Sequence, residues 1–114
     1  MNAAIPENWA RAAWEVFRDH LDGIRVSTGE ELLRYPQPAT ECDLHYRDLL
    51  ERRRWVNEEL SVLKAREPGA QLNPDSPDWP DWRAWFEKQV SASAFADDAV
   101  RQEIVRLLGA EKAL

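Results

Sequence analysis

The sequence predicts an all-α fold: a small helical bundle of about four main helices, one of them long and central. Three observations predict it. No run alternates apolar and polar residues for long enough to form a half-buried strand. Apolar residues recur instead at i, i+3, i+4 and i+7, the spacing that places them on one face of a helix. Prolines gather between these periodic segments, and glycine is scarce, with 4 in 114 residues, as expected where helix interiors dominate the chain.

Taken in order, Pro6 stands in the first turn of a helix expected to run to about Asp22-Gly23, where glycine ends it. The apolar stripe of this helix is Trp9, Ala13, Val16, Phe17, His20 and Leu21. Ser27 followed by Glu30 reads as a capping box, opening a short helix through Leu32-Leu33 that Pro36 stops. Thr40 with Asp43 marks the start of the long helix, expected from Glu41 to about Ala65 and closed by Pro68-Gly69. At ~1.5 Å per residue it would be ~37 Å long. A connector rich in Pro, Asn and Asp follows over 67–77. Asp78 then caps a helix with Pro80 in its first turn and Trp79, Trp82, Trp85, Phe86 and Val90 on or near one face. Trp82 and one of Trp79 or Trp85 are expected to pack onto the first and long helices. The small-residue run 91–94 interrupts that helix, and Asp97-Asp98 start a last one with the stripe Val100, Ile104, Leu107, Leu108 before Gly109. The C-terminal helix pair is too small to stabilise itself, so residues 1–114 are expected to form a single domain.

Composition narrows the function classes. The net charge of −6 argues against nucleic-acid binding, which needs clustered Lys and Arg. The run Arg52-Arg53-Arg54 is flanked by Glu51, Glu58 and Glu59, and its side chains fan out around the helix. No stretch reaches the ~18 apolar residues of a membrane span. The N-terminus lacks the basic start and apolar run of a secretory signal, and Cys42 is the only cysteine; both lead to a cytoplasmic expectation. Cys42 and His45 could face one ion, with His20, Asp43 or Asp19 completing the set, but the paired spacing of a zinc motif is missing. A buried thiol is therefore expected for Cys42, and no metal or cofactor. Negative charge at Glu41 and Asp43 opposes a reactive thiolate there. The carboxylates Glu30-Glu31, Asp75, Asp78, Asp81 and Asp97-Asp98 mostly sit at expected helix starts, where they complement the helix dipole. Glycine-rich phosphate loops, nucleophile elbows and HExxH are all absent.

Arg53 is the exception to this plain pattern. The seam Cys42, Tyr46, Leu49, Arg53, Val56, Leu60, Leu63 steps by 4, 3, 4, 3, 4, 3 along the long helix, with a guanidinium in its middle. Such a group must reach out to water, pair with a carboxylate, or line a pocket for an anion. Asp43, Leu49-Leu50, Arg53 and Lys64 follow the order and spacing of residues on the first long helix of the AroQ-type chorismate mutases, which this stretch of about two dozen residues resembles. The resemblance implies catalytic roles for Arg53 and Lys64. That family's Asp-x-x-Arg-Glu segment is replaced here by Pro68-Gly69 and the connector, and the long helix is not the first in the chain. A small helical enzyme or anionic-ligand binder, with Arg53 and Lys64 in an interhelical pocket, is thus the alternative function. A register-fixing ion pair is the expectation for Arg53 itself.

The leading expectation is a non-enzymatic protein–protein interaction or oligomerisation module. Six tryptophans supply large rings that suit both cores and interfaces. The long helix also carries a second stripe: with Cys42 at zero on the helical wheel, Leu44, Trp55 and Val62 fall near 200–220° at ~100° per residue, with Asp48, Glu51 and Glu58 between them. A chain this small is not expected to cover both sides of so long a helix. Leu44, Trp55 and Val62 are therefore expected to meet a protein partner, most simply a second copy in a two-fold homodimer.

Overall fold

The computed structural model describes residues 8–36, 43–69, 72 and 75–109. These residues form four helices, α1 (Trp9–Arg34), α2 (Leu44–Lys64), α3 (Trp79–Ala92) and α4 (Asp98–Leu108), and no strand among them. The all-α bundle anticipated from periodicity is the observed architecture.

The first helix departs most from expectation. α1 is one element of 26 residues, and neither Gly23 ends it nor Ser27 begins another. Glycine costs a helix about 0.5–1 kcal/mol relative to alanine, too little to break one whose flanks are packed. Here Leu21 and Thr28 are buried on either side of the exposed Gly23, with Ile24 packed against the core. Ser27 bonds back to the carbonyl of Ile24 at 3.2 Å, which a serine does inside a helix where it has no cap to make. Tyr35, extended as a residue before proline must be, ends α1. α1, not α2, is the longest helix, and it packs against both α2 and α4.

α2 starts at Leu44 with Asp43 as its cap, the Oδ1 atom accepting the N–H of Tyr46 at 3.0 Å. The start expected at Glu41 with Thr40 lies outside the described residues, as does Cys42. α3 carries Pro80 in its first turn, although the Asp78 side chain makes no capping bond. α4 begins as expected: Asp97 accepts the N–H of Val100 at 2.9 Å, and Ile104, Leu107 and Leu108 are buried.

Side-chain contacts set the directions. Trp14 of α1 reaches Leu63 near the end of α2, while Tyr35 reaches Asp43 at its start, so the two helices are antiparallel. Trp79 meets Trp9 edge-on at 4.8 Å and Phe86 meets Phe17 at 6.0 Å, so α3 runs in the same sense as α1. Within α3, Trp82 stacks on Phe86 at 4.9 Å, with the rings 9° from parallel. Five of the six tryptophans belong to this core or lie packed against it.

Two of the rings also add donors where α2 ends. The last carbonyls of a helix lack i+4 partners inside it, and Leu63 O takes the Arg66 N–H at 3.3 Å as well as an indole. The indole N–H of Trp14 donates to Leu63 O at 3.1 Å, and that of Trp82 donates to Arg66 O at 3.1 Å. Arg11 extends the join, donating to Pro68 O at 3.0 Å and to Glu67 at 2.8 Å.

Helix lengths decide how far the core extends. At 1.5 Å per residue α1 spans ~39 Å and α2 ~32 Å, against ~21 Å for α3 and ~17 Å for α4. The joint hydrophobic core accordingly takes α1 residues from Trp9 to Ile24 and α2 residues from Val56 to Leu63. Beyond it, Leu49 and Thr28 are buried but belong to a two-helix arm. The Thr28 hydroxyl has no hydrogen-bond partner among the described residues.

Two stability measurements check this account. Trp82→Ala is expected to cost about 3–5 kcal/mol in denaturant unfolding, as large-to-small core changes do; a loss under about 1 kcal/mol would put the ring in solvent. Gly23→Ala adds a methyl group with nothing within 4 Å of it and should raise stability by about 0.5–1 kcal/mol if α1 is continuous. A glycine that ended the helix would give the opposite sign.

Candidate interaction site

The two faces of α2 differ in what they meet. Leu49, Val56, Leu60 and Leu63 are buried, the seam read from the 4, 3 spacing. The second stripe stands in water: Leu44 is 71% exposed, Trp55 51% and Val62 46%. No described helix folds back to cover it. Trp55 is thus the exposed tryptophan, and the ring is held rather than loose: the Arg54 guanidinium lies 5.4 Å from its centre and pairs with Glu58 at 3.4 Å.

At its C-terminal end the stripe borders a cleft of about 500 Å³. Trp55, Glu58 and Val62 form one wall. The opposite wall is the end of α3 with the small residues Ala92, Ser93 and Ala94, and the floor reaches Phe17 and Leu63.

Glu59 fixes the geometry of that wall. Its carboxylate accepts the Ser93 hydroxyl at 2.5 Å and the Ala94 N–H at 3.0 Å. Ser93 Oγ in turn accepts the N–H groups of Phe95 and Ala96 at 3.1 and 3.2 Å. Arg101 donates to Ala96 O at 3.0 Å. His20 Nε2 lies 2.6 Å from Phe95 O; since a carbonyl only accepts, this nitrogen carries the proton. The α3–α4 turn is therefore tied to α1, α2 and α4 at once, and the cleft has a rigid edge.

The other candidate residues fall elsewhere. Arg53 and Lys64 are both exposed, three turns or ~16 Å apart along α2. They line neither this cleft nor the two others along α3, and among the described residues Arg53 makes no ion pair. His20, midway along α1, meets the α3–α4 turn, whereas His45 lies beside Tyr35 where α1 passes to α2. Among the described residues no group of three His, Cys, Asp or Glu side chains could hold a metal. No described helix is long and apolar enough to cross a membrane.

Where α1 passes to α2, the Tyr35 hydroxyl donates to Asp43 Oδ2 while Oδ1 caps α2. The Tyr35 hydrogen bond, and after it the Tyr46 N–H, hold the Asp43 carboxyl below its ordinary value; the same bond raises the phenol. Sequence reasoning missed this pair, as it missed Glu59, because both depend on which turns meet rather than on any local pattern.

Comparison of the chain with protein-family models, with curated proteins and with solved structures finds no match. The functional reading therefore rests on geometry.

The Asp43 shift has a sign that can be measured. A carboxylate stabilised in the folded state contributes above its unfolded pKa, and that contribution is lost as pH falls through the lower, folded value. Tyr35→Phe removes the leading cause, so the Asp43 titration followed by NMR should move up toward the ordinary carboxylate value. An unmoved titration would show that the phenol does not hold it.

Proposed function

We propose that the chain is a protein–protein interaction module that binds through the face of α2 bearing Leu44, Trp55 and Val62. One observation carries the reading: Trp55 is half exposed and in line with two exposed aliphatics, while the other five tryptophans pack in or against the core. An exposed row of this kind on a chain that buries its remaining large rings favours an association surface over incidental exposure. Aromatic residues at such positions are also those on which binding energy concentrates. The neighbouring cleft, with a floor of buried Phe17 and Leu63 and a wall of small residues, offers depth that a flat helix face lacks.

Trp55→Glu tests the reading by size exclusion with light scattering, beside circular dichroism and thermal melting. Because the ring is exposed, the variant should fold with unchanged helix content and a stability within about 0.5 kcal/mol of the wild type. Unfolding by this change would make Trp55 a core residue and end the proposal. A wild-type dimer that Trp55→Glu returns to monomer would make a second copy the partner. A monomeric wild type leaves the face open to a different chain.

A further inference from the structure

The charges within the stripe select among partners. Leu44, Asp48, Glu51, Trp55, Glu58 and Val62 step by 4, 3, 4, 3, 4 along α2 and so share one face. The row therefore alternates a hydrophobic anchor with one or two carboxylates. Asp48 and Glu51 are exposed and, among the described residues, enter no ion pair; Glu58 is shared with Arg54. Glu59 beside them bonds only to an uncharged hydroxyl and an N–H.

A second copy fits this pattern poorly. In the two-fold antiparallel register that sets Leu44 against Val62, Asp48 falls opposite Glu58 and Glu51 opposite Trp55. Sliding the copies until the Trp55 rings meet brings Glu51 against Glu59, with Glu58 beside Arg52. Both of these registers set carboxylate against carboxylate, and like charges brought together at an interface oppose association.

Resting on the stripe being an interface, we propose that its occupant is a basic amphipathic helix of another protein, with apolar anchors at heptad spacing and Lys or Arg between them. The helical form follows from the site. α3 ends at Ala92 beside α2, and past that end no described helix covers the same flank of α2 from Trp55 to Leu44, ~16 Å at 1.5 Å per residue. A helix laid there would continue the third layer of the bundle over the arm. Ala92, Ser93 and Ala94 at the edge of the cleft let its backbone approach closely, and its cations would meet Asp48 and Glu51.

The test uses a fluorescein-labelled peptide of about 20 residues, ~30 Å as a helix, with Leu at heptad anchor positions and Lys between them. Its counterpart carries Glu in place of Lys. Anisotropy titration of the full chain should show the Lys peptide binding at least tenfold more tightly than the Glu peptide, and more weakly as salt rises. Trp55→Ala should weaken the Lys peptide by tenfold or more, and Asp48→Lys with Glu51→Lys should reverse the preference, with melting curves unchanged in both variants. Should the charge-reversed chain fail to fold, Asp48→Asn with Glu51→Gln is expected to remove the preference instead. Equal binding of the two peptides overturns the proposal, as does Lys-peptide binding that is indifferent to Trp55→Ala. A wild-type dimer broken by Trp55→Glu would overturn the basic partner while leaving the interface reading intact; with neither a dimer nor peptide binding, both fall.

Discussion

The C-terminal turn of α2 is where the separate helices become one structure. Its last carbonyls are met in part by the backbone, Ala65 N–H reaching Ser61 O and Arg66 N–H reaching Leu63 O, and in part by indoles from other helices. Trp14 of α1 supplies one to Leu63, and Trp82 of α3 supplies another to Arg66. Each indole therefore buries a large apolar ring and satisfies a backbone acceptor in the same act, so its removal would cost more than lost packing. Around this joint, Arg66 lies 4.8 Å from the Trp85 ring and pairs with Asp81 at 2.6 Å, while Arg11 holds the start of the connector. Two of the six tryptophans serve this joint, where α1, α2 and α3 are fastened at one end by side chains that both pack and donate.

Fastening at one end leaves the other end thin. α3 and α4 cover only the N-terminal half of α1, so the distal parts of α1 and α2 are stabilised mainly by each other. Gly29 lies along that part of α1, and so does the Thr28 hydroxyl, which has no partner among the described residues. Local opening free energies should therefore fall from the tryptophan joint toward the Tyr35–Asp43 end. That end has its own lock, a phenol bonded to the aspartate that caps the next helix. The exposed stripe runs from the firm end, where Glu59 anchors the α3–α4 turn, out along the thin one.

Periodicity made the helices and most core residues legible. The seam of α2, the stripe of α4 and the position of Pro80 all followed from spacing alone. α1 was harder, because glycine and a Ser-x-x-Glu pattern are local signals, whereas the packing of Leu21, Ile24 and Thr28 across them is tertiary. Trp14 was passed over for a related reason. It lies on a second seam with Ala10, Phe17 and Leu21, and α1 needs both seams since it faces α2 on one side and α4 on another. At the candidate site, the exposure of Leu44, Trp55 and Val62 was legible from helix length against chain length. The cleft beside them was not, since it depends on Glu59 drawing in a turn more than thirty residues away. Arg53, which drew notice by interrupting a seam, simply extends into water.

The unequal placement of the tryptophans also makes the molecule its own reporter. Trp9, Trp14, Trp79 and Trp82 are buried and Trp85 is partly so, which leaves Trp55 as the indole open to solvent on the stripe. Collisional quenchers will reach it first, and its emission lies to the red of the shielded rings. Any chain that settles over the stripe changes that red component and leaves the core signal in place. Events at this surface can therefore be followed in the unlabelled protein and separated spectroscopically from unfolding, which would shift the five shielded rings instead.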